Sequence, residues 1–134
     1  MNSPQILLVD DEPIVGNRLK SGLQKMGFEV EVLKNPEEAL AIIRERKFDI
    51  LIADIMMPEI NGLQLLETVK EANPDTRVII MTGFATSEMA REAMEKGAYD
   101  IIAKPFKPVD LRAMVAKAAN EMGFTDIKSD MNTE

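Results

Sequence analysis

The chain has 134 residues, 46% hydrophobic and 29% charged, with a net charge of -7 at pH 7; this is the balance of one ordinary globular domain, and a second catalytic or DNA-binding domain does not fit within that length. The acidic balance argues against direct nucleic-acid binding, no apolar run approaches the roughly 18 residues of a membrane span, and no signal-like segment is expected at the N-terminus. With no cysteine and no histidine, disulfides, thiolate nucleophiles, imidazole catalysis and Cys- or His-ligated metals are excluded, so chemistry falls to carboxylates, hydroxyls, lysine and a hard, oxygen-seeking cation such as Mg²⁺.

Short apolar runs alternate with amphipathic stretches five times. Gln5 to Val9 predicts a first strand that ends on Asp10-Asp11. Pro13 opens a helix carrying Val15, Leu19, Leu23 and Met26 at helical spacing, and Gly27 closes it. Glu29 to Leu33 alternates polar and apolar, the mark of a strand with one exposed face, and is expected at an edge. A second helix starts at Pro36 and carries Ala39, Leu40 and Ile43; the third strand, Asp49 to Ala53, is apolar from Ile50 onward and ends on Asp54.

A third helix carries Leu63, Leu66 and Val69, and Arg77 to Met81 forms the fourth strand ahead of Thr82-Gly83. The fourth helix carries Met89, Ala93 and Met94 and stops at Gly97; Tyr99 to Ala103 is the fifth strand, ending on Lys104. Pro108 opens the fifth helix, with Leu111, Met114, Val115, Ala118 and Met122 on one face and Gly123 at its end. Residues 1–122 are expected to form the domain, and the polar stretch 123–134 a fraying tail or the start of a linker. Met26, Met89, Met94, Met114 and Met122 fall at core-facing positions and are expected to fill the core rather than line a cofactor site.

Alternating strands and helices of this kind make a parallel sheet covered on both faces. With the first and third strands central, Asp10, Asp11, Asp54 and Lys104 converge at the carboxyl edge, where open α/β sheets bind their ligands. Each residue alone has a plainer reading. Asp10-Asp11-Glu12 would offset a helix dipole, Lys104 would reach solvent, and Thr82 would be a turn residue. The matching positions at three strand ends favour a small acidic site for a divalent cation, with one carboxylate left for chemistry. Crowding the carboxylates should raise at least one pKa, so metal affinity should fall as pH drops.

Over residues 4 to 122 the chain resembles the receiver domain of two-component response regulators. The resemblance rests on Leu8-Val9-Asp10-Asp11-Glu12-Pro13, Asp54-Ile55-Met56-Met57-Pro58 with Gly62, Met81-Thr82-Gly83, Gly97-Ala98 with Asp100, and Lys104-Pro105-Phe106. It implies a doubly wound, flavodoxin-like (βα)5 sheet in strand order 2-1-3-4-5. It further implies that Asp54 accepts a phosphoryl group from a sensor histidine kinase or phosphotransfer protein in a Mg²⁺-dependent reaction, with Mn²⁺ as an alternative. Asp11, Asp54 and the backbone carbonyl of Met56 would then hold the metal, Asp10 acting mostly through a metal-bound water. Lys104, aimed inward by a cis bond to Pro105, would bind a phosphoryl oxygen, and Thr82 would hydrogen-bond the new group. The output face implied is the fourth helix, fifth strand and fifth helix, with homodimerisation through that face as one outcome. The domain would be cytoplasmic, without membrane attachment or direct nucleic-acid contact, and would catalyse only its own phosphorylation and dephosphorylation.

Two positions depart from the family pattern. Ile101 stands where such receivers carry an aromatic residue, three before the lysine, and Tyr99 is not expected to take over that role. Transmission is then expected through the backbone from Thr82 to Ala85 and through the fourth helix. Met56 and Phe84, bulky and apolar, flank the expected phosphoryl site and should hinder an attacking water. A phosphohydrolase of the haloacid dehalogenase type would need a second carboxylate at position 56, which is Met. A flavodoxin-like cofactor binder would offer Ser, Thr and Gly amides where this chain has three acids. A pseudo-receiver that only binds partners would have no need of the five key side chains.

Overall fold

The computed structural model describes residues 3–55, 61–83, 88–124 and 127. Five strands, β1 (Gln5–Val9), β2 (Glu29–Leu33), β3 (Ile50–Asp54), β4 (Arg77–Thr82) and β5 (Asp100–Ala103), alternate with five helices. The helices are α1 (Pro13–Lys25), α2 (Pro36–Glu45), α3 (Gly62–Ala72), α4 (Glu88–Glu95) and α5 (Pro108–Glu121). All strand pairs are parallel and the order is β2-β1-β3-β4-β5, the doubly wound (βα)5 sheet expected from the sequence.

Pleating sends alternate side chains to opposite faces and builds two cores. Ile6, Leu8, Ile50, Ile52, Ile79, Met81 and Ile102 pack with Leu19 and Leu23 of α1 and Leu111 and Val115 of α5. Leu7, Val9, Leu51, Ala53, Val78 and Ile80 pack with α2, α3 and α4 through Ala39, Ile43, Leu65, Leu66, Val69 and Ala93. Each fully buried leucine or isoleucine contributes about 1.5–3 kcal/mol over leaving it in water. The chain leaves β1 toward β2 and then reverses to β3. The sheet's switch point therefore lies between β1 and β3, at the carboxyl edge.

Local signals set the helix ends. Pro13, Pro36 and Pro108 are the first residues of α1, α2 and α5, where proline's missing N–H costs nothing. Gly27 and Gly97 adopt φ of 107° and 106°, a region closed to most side chains, after α1 and α4. Asn61 caps α3 reciprocally: its side chain accepts from the Gln64 N–H at 3.0 Å while Gln64 accepts from the Asn61 N–H at 3.0 Å.

Several expectations change. β3 begins at Ile50 rather than Asp49, whose carboxylate accepts the Gln5 N–H at 2.7 Å. β3 and β4 each run one residue past the expected Ala53 and Met81, so Asp54 and Thr82 are their last residues, held in register opposite Met81 and Ala103. Of the five methionines assigned to the core, Met26 is buried and Met89, Met114 and Met122 are partly buried. Met94 is 45% exposed, because the eight residues of α4 turn Ala90 and Ala93 inward. Past α5, Phe124 and Ile127 pack on the α1/α5 core.

Candidate functional site

The end of β1 turns Asp10 inward. Its N–H donates to the Leu33 carbonyl at 3.1 Å, its Oδ1 accepts the Glu12 N–H at 2.9 Å, and the residue is fully buried. Among the described residues, the other oxygen, Oδ2, has no hydrogen-bond partner. An ionised oxygen buried in that way is costly unless a cation faces it. Burial accordingly pushes the Asp10 carboxyl above its ordinary 3.8. The Glu12 N–H and Lys104 oppose the rise, while Asp54 and Asp11 add to it.

Asp54 is 7% exposed. One carboxylate oxygen each from Asp10, Asp11 and Asp54 lies within 4.8 Å of the others, a spacing that a single divalent ion could bridge; Asp11 is the exposed member. The donors are all carboxylate oxygens, the chemistry that hard cations select. Backbone bonds fix the platform beneath: Ile55 N–H donates to the Met81 carbonyl at 2.9 Å, and Gly62 N–H to the Ile55 carbonyl at 3.1 Å.

Across the crevice, the Lys104 N–H donates to the Thr82 carbonyl at 2.8 Å, tying the end of β5 to that of β4. The Lys104 Nζ reaches Asp54 Oδ2 at 2.5 Å. Burial works against this ammonium, but the hydrogen bond and charge of Asp54, then Asp10 and Glu12, outweigh it and hold the pKa above its ordinary 10.5. The Lys104-Pro105 bond is cis. Thr82 is buried at the end of β4. Asp10, Asp11, Asp54 and Lys104 are therefore one cluster, and Thr82 ends the strand beside it. The carbonyl of Met56, together with Met57, Phe84 and Ala85, lies outside the described residues.

Ile101 packs on the α2/α3/α4 core, whereas Tyr99 packs on the opposite one. Their even spacing would put them on one face of a continuous strand, but Tyr99 precedes β5. Sequence reasoning missed a groove of about 530 Å³ beside the cluster, lined by Glu12, Val15, Leu19, Lys104, Pro105 and Phe106 among others. Its two walls come from opposite ends of the chain, so no local pattern announces it.

A parallel sheet that gathers three carboxylates and a lysine at its carboxyl edge, beside the switch point, defines a flavodoxin-like α/β domain with an acidic, cation-ready crevice. The model of the response regulator receiver domain matches residues 6–116, and the chain belongs to this family. It is 36% identical over 124 residues to the transcriptional regulatory protein ZraR of Escherichia coli O157:H7, covering 92% of this chain and 28% of that protein. It is 32% identical over 120 residues to the DNA-binding transcriptional regulator NtrC of Azospirillum brasilense, covering 90% and 25%. The chain thus spans about a quarter of the length of the curated relatives it matches. A CheY-like receiver domain from Methanospirillum hungatei JF-1 superposes with a TM-score of 0.85 at 32% identity, over 90% of this chain and 96% of that one. Receiver domains are the signalling modules of two-component response regulators.

Proposed function

We propose that Asp54 is the phosphoacceptor of this receiver domain, and that Asp10, Asp11 and Asp54, with the backbone carbonyl of Met56, hold Mg²⁺ or alternatively Mn²⁺. The observation that carries the reading is the buried Oδ2 of Asp10, unpartnered among the described residues, within a three-carboxylate cluster whose Asp54 already engages Lys104. When bound, the metal neutralises the repulsion between a carboxylate and an incoming phosphoryl group. An Asp54 oxygen then forms a bond to phosphorus while the phosphorus–nitrogen bond of a phosphohistidine breaks. The histidine belongs to a kinase or phosphotransfer protein, since this chain has none.

The product adds about two negative charges and three acceptor oxygens at Asp54. Lys104 exchanges its carboxylate partner for a phosphoryl oxygen, and the Thr82 hydroxyl donates to another. In dephosphorylation a water oxygen bonds to phosphorus as the bond between phosphorus and the Asp54 oxygen breaks, releasing inorganic phosphate and restoring the carboxylate; the apolar residue types at Met56 and Phe84 are expected to hinder that water. With Ile101 in place of an aromatic residue, the change passes through the backbone after Thr82 and through α4 to the face formed by α4, β5 and α5. Met94 on α4 and Val109 on α5, the exposed large apolar side chains among the described residues, suit that face to a partner, a second copy included.

Residues 1–122 form the receiver unit in this reading and 123–134 lead out of it, Phe124 and Ile127 still packing on the α1/α5 core as the chain leaves. The reading makes the domain a cytoplasmic, protein-binding switch, as its family resemblance implies, and its acidic charge disfavours nucleic acid; no described helix is long and apolar enough to cross a membrane. Intact mass after treatment with acetyl phosphate and Mg²⁺, on the wild type and Asp54→Asn, tests the proposal. One added phosphoryl group in the wild type only is expected; none in either protein would leave a partner-binding pseudo-receiver.

A further inference from the structure

Gly62, the buried first residue of α3, is a glycine for a reason different from that at Gly27, Gly97 and Gly123. Those three adopt positive φ. Gly62 does not, yet a Cβ built on it would stand 2.8 Å from the Asp54 carbonyl oxygen and 2.9 Å from the Ile55 Cα. Both are backbone atoms, so no side-chain rotation relieves the contact. The same residue's N–H donates to the Ile55 carbonyl at 3.1 Å. Helix and strand therefore meet at bare backbone, directly behind the carboxylate that carries the chemistry.

We propose that Gly62 is a positioning residue: its missing side chain lets α3 close onto the Asp54-Ile55 backbone, and this closure sets the Asp54 carboxylate within reach of Asp10 and Asp11. The proposal rests on the reading of those three residues as a divalent-cation site. α3 has little freedom to retreat from a clash, because Leu63, Leu65, Leu66 and Val69 bury its inner face in the core and the Asn61–Gln64 cap fixes its first turn. A methyl group at position 62 is consequently accommodated by β3. On that side the strand end is tethered by Ile55 N–H to the Met81 carbonyl at 2.9 Å, so the shift falls on Asp54. Metal ligands displaced through the residues that support them lose affinity while the fold survives.

Mg²⁺ titrations by calorimetry on the full chain separate this role from ordinary packing. Gly62→Ala is expected to bind Mg²⁺ on the order of 10–100-fold more weakly than wild type. Val69→Ala, a cavity in the same helix, should lower the melting temperature yet keep its Mg²⁺ affinity within about twofold. Equal affinity in Gly62→Ala and wild type overturns the positioning role and leaves the metal site standing. A wild type that binds no Mg²⁺ overturns both. Amide exchange on the wild type gives a reading that no folding defect can obscure. Mg²⁺ should slow exchange at the Gly62 N–H, since fixing Asp54 steadies the adjoining Ile55, whose carbonyl accepts that N–H, and an unchanged rate overturns the proposal.

Discussion

Lys104 and Asp54 are fifty residues apart in the chain, one just past the end of β5 and the other at the end of β3 with β4 between those strands, yet the lysine Nζ lies 2.5 Å from Asp54 Oδ2. The ammonium occupies the position of a counter-ion in a crevice with two further carboxylates. It partly offsets their repulsion and leaves the Asp10 Oδ2 for something else to satisfy.

Removing that ammonium should therefore act in opposite directions on stability and on metal binding. Lys104→Met is expected to lower stability without metal by about 1–2 kcal/mol, less than for a fully enclosed pair because Lys104 keeps contact with water. The Mg²⁺-induced rise in melting temperature should be larger in the variant, since a like charge has been taken from beside the cation. Thermal denaturation with and without MgCl2 measures both; an unchanged melting temperature in metal-free buffer would mean the pair contributes nothing.

Asp10→Asn should stabilise the metal-free protein at neutral pH. The sign follows from burial, which raises this carboxyl above its ordinary 3.8. Below that pH the group is protonated in folded and unfolded chains alike and the penalty is absent. As pH rises through the raised folded value, the buried charge appears and stability is lost. The melting-temperature gap between variant and wild type is thus expected to open as pH climbs above 3.8. Mg²⁺ at about 100 times its dissociation constant should return about 2.7 kcal/mol to the wild type and much less to the variant.

At the opposite edge of the sheet, Thr76 is buried, its hydroxyl donating to the Phe48 carbonyl at 2.5 Å and accepting from Asn73 Nδ2 at 2.8 Å. Thr76→Val keeps the shape and removes both bonds. A loss of about 1–3 kcal/mol in urea denaturation is expected, with Mg²⁺ affinity unchanged, because the hydroxyl braces the β3 and β4 entries rather than their exits. A coupled loss of metal affinity would contradict that separation.

The last turn of α5 offers a test in acid. Tyr99 Oη donates to Glu121 at 3.1 Å and Arg77 pairs with the same carboxylate at 3.0 Å while its guanidinium lies 5.2 Å from the Tyr99 ring centre. Those bonds, Tyr99 first, hold the Glu121 carboxyl below its ordinary 4.5. A depressed carboxyl contributes stability above 4.5 and loses it as pH falls through the lowered value. Glu121→Gln should melt below wild type near neutral pH, and the two curves should converge in acid. A gap that persists at low pH would assign the effect to packing instead.

The sequence by itself determined the elements and the residue types of the site, because those are local properties. Apolar spacing separates strands from helices within a few residues, and Pro13, Pro36, Pro108, Gly27, Gly97 and Gly123 mark helix ends through backbone restrictions that each residue carries anywhere. The alternation of Glu29 to Leu33 likewise put β2 at an edge, where the structure has it. Tertiary structure decided the distances. Register carried Asp54 and Thr82 into the strands, the short α4 left Met94 in solvent, and the start of β5 after Tyr99 sent that ring and Ile101 to opposite cores. The contact behind Asp54 that requires a glycine at position 62 is of the same kind. Such relations join residues far apart in the chain through packing, and no local pattern of hydrophobicity or backbone preference encodes how closely two packed elements approach.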